Sequence, residues 1–283
     1  MPLEILAILA VPALVAAWPW LTRRLRERRR ARLRATPLPE HWLHMLRRVP
    51  LYRRLPREVR ERLHGDIQIF LAEKRFYGQD GLEVTDLMRL AIAAQACLLQ
   101  LNLHTRYYPD FTSILVYPDA FVAVETAHDG LLESTQRHVR SGESWYRGPV
   151  ILSWADLRAD LDHGGDGHNV VLHEFAHKLD EQDGLVDGAP ELDTTQARRW
   201  PTLFQHEYER LERALARGEH TLLDPYAASA PAEFFAVAVE TFFERGAALE
   251  QHHPELYAAL HEFFALDPAR WRQRGAHHAH GAR

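Results

Sequence analysis

The chain has 283 residues, and its apolar fraction of 46% is sufficient for a folded core in one large domain or two small ones. Its formal net charge of −5 argues against a general affinity for nucleic acid, which requires a strongly basic surface. The single cysteine, Cys97, excludes an intrachain disulfide. It lies in an apolar helical stretch, so we expect a buried thiol in a reducing compartment.

The first element is an apolar stretch over residues 5–21, which an arginine-rich segment over residues 23–34 follows. The stretch is close to the lower length limit for crossing a bilayer of about 30 Å. Its positive charge comes after the apolar run, whereas a cleaved signal peptide carries it before. We therefore expect residues 1–37 to be a leader that anchors a cytoplasmic catalytic domain to the cytoplasmic membrane, with the arginines near anionic lipids. A cytosolic chain with a hydrophobic or amphipathic leader is the alternative, and secretion is a third possibility.

The following segment, residues 38–270, is predicted to form one catalytic domain. Its predicted helices cover residues 57–76, 85–103, 200–217, 231–245 and 254–264, and its predicted strands cover residues 113–118 and 149–154. This pattern indicates an α+β fold in which helices pack on a small mixed sheet. The tail, residues 271–283, contains His277, His278 and His280, and we expect it to be disordered with only adventitious metal affinity.

The most informative motif is the sequence HEFAH at residues 173–177, an H-E-x-x-H pattern. Positions four apart on a helix with 3.6 residues per turn share one face, so His173 and His177 can bind one metal ion. Glu174 is offset and can reach a water molecule on that ion. Zinc lowers the pKa of such a water to about 7, and Glu174 takes its proton as it attacks a carbonyl group. The motif therefore predicts a zinc peptidase.

The alternative for this motif is an amphipathic helix whose two histidines form ordinary hydrogen bonds. The glycine-rich segment 164–167 favours the metal site, because it interrupts the chain and lets a helix begin near residues 168–169. Asp180, three residues after His177, has two interpretations. It either accepts a hydrogen bond from a ring nitrogen of a ligating histidine or is a solvated acid at the helix end.

A third metal ligand has to come from another part of the chain. Asp183 lies six residues after the second histidine of the motif, about 240° around a continuing helix, so it should point away from the metal. Glu233 is the better candidate, because a carboxylate in the apolar helix predicted over residues 231–245 is costly to bury unless it is paired or metal-bound. Glu240, seven positions later, shares its face and is either a partner of a ligand or the replacement ligand. Glu244, near the helix end, is predicted to be solvated.

At these residues the chain resembles a known family, the Mlc titration factor A zinc peptidases, whose catalytic part is similar to the lethal factor metalloprotease domain. The resemblance rests on HEFAHKLD at 173–180, DPYAA at 224–228 and PAEFFAV at 231–237, with support from LAEKR at 71–75, ILVYP at 114–118 and GESW at 142–145. It extends over roughly residues 38 to 265.

This resemblance implies a zincin-like fold with one zinc ion per chain, bound by His173, His177 and Glu233. It also implies that Glu174 is the general base and that Tyr226 stabilises the oxyanion of the tetrahedral intermediate. A phenol O–H group near the metal can donate to developing negative charge. A half-buried packing residue is the alternative for a tyrosine in such a loop.

The leading functional hypothesis is a zinc metallopeptidase that acts on peptides or proteins. The resemblance also implies that family members bind the glucose repressor Mlc, so a regulatory protein that binds a transcriptional repressor, with secondary peptidase activity, is the alternative. A purely structural zinc site is disfavoured, because two histidines and one glutamate leave a coordination position open. The sequence does not distinguish an aminopeptidase from an endopeptidase.

Overall fold

The computed structural model describes the backbone of residues 3–103, 107–119 and 148–271, and within these ranges the side chains from residue 18 onward. Helices dominate this part of the chain and pack around a small sheet, which confirms the predicted α+β class. The α-helices are α1 (Leu3–Ala35), α2 (Glu40–Leu46), α3 (Pro50–Arg54), α4 (Arg57–Glu73), α5 (Asp86–Leu99), α6 (Trp154–His163), α7 (Val170–Asp180), α8 (Thr194–Ala216), α9 (Pro231–Glu244), α10 (Gly246–His252) and α11 (Pro254–Phe264). The strands are β1 (Arg75–Gly78), β2 (Ser113–Tyr117) and β3 (Val150–Ser153). The free thiol of Cys97, in α5, is buried as predicted.

The described sheet is entirely parallel, in the order β1-β2-β3, whereas the sequence predicted a mixed sheet. The prediction missed β1, because it extended the preceding helix to Phe76. That helix, α4, ends at Glu73, and Phe76 pairs with Ile114 of β2. Parallel neighbours need a crossover connection, and α5 lies between β1 and β2 in the chain. Pairing with a distant segment thus overrode the local helical pattern.

Several helix ends differ from the predicted ends because capping side chains set them. α8 begins at Thr194, ahead of the predicted start at Trp200, since Asp193 accepts hydrogen bonds from two backbone N–H groups of the first turn. The prediction did not include α6, which Ser153 caps by accepting a hydrogen bond from the N–H group of Asp156. It also did not include the short helices α2, α3 and α10.

The helix that carries the H-E-x-x-H motif, α7, is buried along almost its whole length. Asn169 caps its start, as its side-chain oxygen accepts a hydrogen bond from the N–H group of Leu172 at 3.0 Å. α7 packs against α5 and α9. Phe175 is fully buried, and its ring centroid lies 5.9 Å from that of Phe70 and 4.9 Å from that of Tyr108. The core therefore fixes the position and the rotation of the motif helix.

The helix α9 runs through the interior and agrees closely with its predicted range. Every residue from 234 to 244 is buried. The predicted solvation of Glu244 is wrong, because its carboxylate accepts hydrogen bonds from Arg54 at 2.6 Å and from the side-chain amide of Asn169 at 3.0 Å. The next helix begins at Gly246 and contacts α9, and Glu244 itself is only 5% exposed.

The C-terminal half of α1 lies against α4. Arg30 donates two hydrogen bonds to the carboxylate of Glu73, at 2.8 and 2.7 Å. Arg34 pairs with Asp66 at 3.2 Å. These two arginines, which the sequence assigned to contact with anionic lipids, therefore form ion pairs within the protein. The domain boundary near residue 37 stays a prediction.

Several predicted features lie outside the described residues. They are the GESW segment at residues 142–145, the histidines of the tail at 277–280, and the side chains of most of the apolar stretch at 5–21. Within the described part of the chain, no helix combines the length and the apolar character that crossing a membrane requires. The membrane anchor stays a prediction.

Candidate metal centre

Two imidazole rings of α7 and one carboxylate of α9 meet at a single point. The Nε2 atoms of His173 and His177 lie 3.0 and 3.4 Å from Oε2 of Glu233, and the two nitrogens are 3.2 Å apart. The possible ligand atoms of the three residues are all within 4.8 Å of one another. Glu233 lies in the first turn of α9, two residues after the proline that begins this helix. The structure thus brings together the three residues predicted as metal ligands.

Within this triad, the lone pairs of the two ring nitrogens and of the carboxylate oxygen face one another. Oε2 of Glu233 is buried and has no hydrogen-bond partner among the described residues. The distance to His173 would suit a hydrogen bond, but Nδ1 of His173 lies 2.8 Å from Glu240, and we assign the ring proton to that contact. A cation that accepts electron pairs satisfies all three atoms at once, whereas one proton joins only two of them. Two imidazole nitrogens and one carboxylate oxygen are the donor set of catalytic zinc sites.

Glu240 binds the ring nitrogen of His173 that faces away from Glu233. Its second oxygen accepts a hydrogen bond from the backbone N–H group of Asn169 at 2.5 Å. Glu240 lies two turns after Glu233 on α9 and is only 5% exposed. Such a carboxylate orients the imidazole and fixes its tautomer, so Nε2 is left with its lone pair. This position agrees with the prediction that Glu240 is the partner of a metal ligand. It does not agree with the alternative, in which Glu240 is itself the replacement ligand.

The triad attracts positive charge. Burial lowers the pKa of His173, but its contacts with Glu233 and Glu240 outweigh burial and raise this pKa well above the usual value. Burial raises the pKa of Glu233, but its contacts with His173 and His177 outweigh burial and lower this pKa. A proton and a metal ion therefore compete for the same lone pairs, and metal binding should release protons.

Glu174 is buried next to the triad on the same helix and is 2% exposed. Burial raises the pKa of its carboxyl group, and the charges of His173 and His177 oppose part of this shift. A raised pKa makes a carboxylate a stronger base, which suits a group that accepts and returns a proton.

Tyr226 lies beside His173 in a short 3₁₀ helix, Pro225–Ala228. Asp224 holds this turn, because its carboxylate accepts a hydrogen bond from the N–H group of Tyr226 at 2.8 Å. The ring centroids of Tyr226 and His173 are 6.1 Å apart, and Tyr226 is 50% exposed. This exposure differs from that of a packing residue and leaves the ring open to a bound ligand.

A cavity of about 460 Å³ adjoins the triad, and His173, Glu240 and Tyr226 form part of its wall. Further lining residues come from α6 and from the segment between α6 and α7. A concave space of this size, next to buried titratable side chains, is typical of a ligand site. Of the triad, His173 therefore borders a space that is large enough for part of a peptide.

Of the two acids that follow the motif, Asp180 was predicted wrongly, and Asp183 was predicted correctly but for the wrong reason. Asp180 is fully buried, not solvated, and it accepts a hydrogen bond from the N–H group of Gly188 at 3.0 Å, not from His177. Asp183 lies outside the triad as predicted, but the reason differs. α7 ends at Asp180 and continues as a 3₁₀ helix, in which Asp183 accepts a hydrogen bond from the N–H group of Leu185 at 2.9 Å.

Sequence reasoning missed Asp160 of α6, which supports the start of α7. Its carboxylate accepts a hydrogen bond from the N–H group of Val170, the first residue of α7, at 2.9 Å. Burial raises the pKa of this carboxyl group to about 8. No local pattern marks the residue, because a glycine-rich turn separates it from the motif and only the fold brings the two together.

Comparisons with known proteins identify the family. The family model for the glucose-regulated metallo-peptidase M90 matches residues 23–265. The chain belongs to this family. It is 43% identical to an uncharacterized protein of Synechocystis sp. over 266 residues, which cover 92% of this chain and 95% of that protein. The Mlc titration factor A proteins of Yersinia pestis and Yersinia pseudotuberculosis are each 34% identical over 230 residues, which cover 80% of this chain and 84% of theirs.

Membership of the M90 family confirms the predicted resemblance and makes a metal-dependent peptidase the functional class of this chain. The match begins at residue 23, earlier than the predicted limit near residue 38. It therefore includes the part of α1 whose Arg30 and Arg34 contact α4. Within this M90 member, the His173, His177 and Glu233 triad is the group that could bind the metal among the described residues.

Proposed function

We propose that this M90 member hydrolyses peptide bonds with one zinc ion bound by His173, His177 and Glu233 in a zincin-like domain. The proposal rests on the buried meeting of two imidazole nitrogens with a carboxylate oxygen that has no hydrogen-bond partner in the described part of the chain. When bound, zinc supplies Lewis acidity, which polarises a carbonyl group and lowers the pKa of water.

Glu174 is the proposed general base. It is buried directly beside the triad, and burial raises the pKa of its carboxyl group. Its carboxylate takes a proton from the attacking water and then returns a proton to the leaving amine. Because Glu174 is not one of the converging ligands, replacing it should impair hydrolysis and leave metal binding intact.

Tyr226 is the proposed donor to the oxyanion. Its ring lies next to His173, it is half-exposed, and it lines the adjoining cavity. A phenol O–H group aimed at the carbonyl oxygen stabilises the negative charge that develops there in the transition state. The carbonyl oxygen carries less charge in the bound substrate, so the contribution appears mainly in kcat.

The name of the Yersinia relatives supports a second candidate function. Mlc titration factor A is named for an action on Mlc, so this chain is a candidate binder of a transcriptional repressor. A pull-down of such a repressor with wild-type protein and with Glu174→Gln tests it. Retained binding by the inactive variant would mean that hydrolysis and partner binding are separable.

The test of the peptidase measures zinc content and hydrolysis on the same samples. We expect about one zinc ion per chain. Hydrolysis of a peptide library should stop on treatment with a strong chelator and return on addition of zinc. Glu174→Gln should keep its zinc and lose hydrolysis. Wild-type turnover by that variant on every cleaved peptide would overturn the mechanism.

A further inference from the structure

The cavity beside the triad is lined by five carboxyl groups and three histidines and, among the described residues, by no lysine or arginine. We call it the acidic cavity. Its acids are Asp156 and Asp160 of α6, Asp166 of the glycine-rich turn, Asp224 before Tyr226, and Glu240 of α9. Glu240 faces His173 at 2.8 Å and Asp224 lies 3.7 Å from His168, so these two acids already have a partner that can carry positive charge. A cation that enters the cavity is therefore attracted mainly by the acids without such a partner.

The acids of this cavity do not converge on one point. In the described part of the chain, the one group of three possible ligands that could hold a metal ion is His173, His177 and Glu233. The carboxylates of the acidic cavity therefore do not suit a second metal ion. Separate carboxylates suit an organic cation whose several N–H groups point in different directions.

The acidic cavity also has apolar walls, formed by Ala159, Val170 and Val237. Lysine and arginine side chains bury their methylene stems along apolar surface and keep their charged ends among polar groups. The half-exposed ring of Tyr226 offers an aromatic face to the same cation. A free chain amine has no stem to fill such walls, so a basic side chain fits them better.

Asp156 is the acid whose carboxylate is most clearly available. In the described part of the chain, Asp156 donates a hydrogen bond to Ser153 through its backbone N–H group, and this contact does not occupy the carboxylate. By contrast, Asp160 holds Val170, and Asp224 holds the turn at Tyr226. Burial and the neighbouring acids together raise the pKa of Asp160 to about 8, so this carboxyl group keeps its proton at neutral pH and Asp156 is the better partner for a cation.

We propose that the acidic cavity binds a lysine or arginine side chain of the peptide substrate, next to the scissile bond, and that Asp156 determines this specificity. The proposal rests on the proposed peptidase function. The cavity shares His173, Glu240 and Tyr226 with the candidate catalytic centre, so a side chain bound there holds its own backbone near the triad.

The test uses zinc-loaded full-length protein and peptides that are acetylated at the N-terminus and amidated at the C-terminus. The peptides differ at one position at a time, on either side of the scissile bond. The residue at that position is lysine, norleucine or glutamate. At one position, kcat/KM for lysine should exceed that for norleucine by about tenfold, and glutamate should be slowest. Equal values for lysine and norleucine at every position would overturn the proposal. So would cleavage restricted to peptides with a free N-terminus, because the cation would then be the chain amine.

Variants of Asp156 connect the preference with the cavity. Asp156→Asn should reduce the lysine-to-norleucine ratio several-fold and leave norleucine peptides unaffected, and Asp156→Lys should favour glutamate over lysine. Asp162→Asn is the matched control, since Asp162 is an exposed acid of the same helix that does not line the cavity. An unchanged ratio in both Asp156 variants would exclude this residue and its cavity.

A binding measurement separates failure of the specificity pocket from failure of the peptidase. Fluorescence anisotropy with Glu174→Gln compares blocked lysine and norleucine peptides under conditions without turnover. Tighter binding of the lysine peptide supports the pocket even if the wild-type protein cleaves nothing, a result that would refute only the peptidase. Equal binding of the two peptides to this variant would overturn the pocket, whatever the wild-type protein cleaves.

Discussion

Oε1 of Glu240 in α9 lies 2.8 Å from the ring Nδ1 of His173 in α7. The other carboxylate oxygen of Glu240 accepts a hydrogen bond from the backbone N–H group of Asn169 at 2.5 Å. One side chain therefore joins the capping residue of α7 to a candidate ligand one turn later. Because α7 and α9 each contribute candidate ligands, this contact also sets the distance between the two helices at the triad.

Replacing Glu240 should weaken metal binding and leave the three ligands in place. Glu240→Gln loses the charge that holds the Nδ1 proton of His173, so zinc affinity should fall by about 10- to 100-fold. Competition with a chromophoric chelator measures the affinity. Glu244→Gln is the matched control on the same helix, since Glu244 contacts Arg54 and Asn169. If both variants bind zinc as tightly as the wild type, Glu240 does not support His173.

Removing any one of the proposed ligands should empty the site. His173→Ala, His177→Ala and Glu233→Gln each remove one of three protein donors, so zinc content should fall well below about one ion per chain. Metal analysis after dialysis against a weak chelator measures this loss. Asp183→Ala should keep its zinc, because Asp183 contacts Leu185 outside the triad. Full occupancy in both histidine variants would rule out the assignment.

Variants of Glu174 and Tyr226 should lose catalytic activity and keep their zinc. Glu174→Gln and Tyr226→Phe should both retain zinc, while each lowers kcat by roughly 10²-fold or more through loss of the base or of the oxyanion donor. Tyr77→Phe is the control for the second variant, because Tyr77 is an exposed tyrosine of β1 outside the cavity. Normal kcat in Tyr226→Phe would leave this tyrosine without a catalytic role.

The carboxyl group of Asp160 should make stability depend on pH. Burial raises its pKa to about 8 in the folded protein, whereas its pKa in the unfolded chain is about 4. Between these values the folded state retains a proton that the unfolded state has lost. The free energy of unfolding therefore falls as pH rises, by at most about 1.4 kcal/mol per pH unit.

Asp160→Asn tests this dependence, because it keeps an oxygen for the N–H group of Val170 but cannot titrate. Urea unfolding of the metal-free proteins, from about pH 5 to about pH 8, measures the difference. The wild type should lose stability relative to the variant as pH rises, with most of its advantage present at the acidic end. Parallel profiles would mean that the Asp160 carboxyl group titrates normally in the folded protein.

Local sequence determined the helix that presents the two imidazoles. A spacing of four residues sets His173 and His177 on one face of any helix, whatever packs around it. The helix begins after Asn169, as the glycine-rich segment before it predicted. α9 was equally predictable, because a proline start and a continuous apolar run are local properties, and the structure has this helix over Pro231–Glu244.

Only the tertiary structure decided which carboxylates meet the histidines and which are buried. Glu233 and Glu240 share a face by spacing, but the packing of α7 against α9 sets one on each side of the His173 ring. Asp180 and Glu244 have the sequence context of solvated acids at helix ends, and the fold buries both. Burial depends on which distant segments pack over a residue, and local spacing carries no information about that.

The strand β1 and the contact of Asp160 with α7 were beyond prediction for the same reason. Phe76 continues a helical pattern, yet its backbone pairs with Ile114, which is far along the chain. Asp160 reaches Val170 across a turn whose geometry its residues alone do not set. The sequence by itself determined the periodic, local features of this protein, namely the motif helix and the apolar helix beside it. Contacts between distant segments, whose energy depends on the whole packed core, decided the rest.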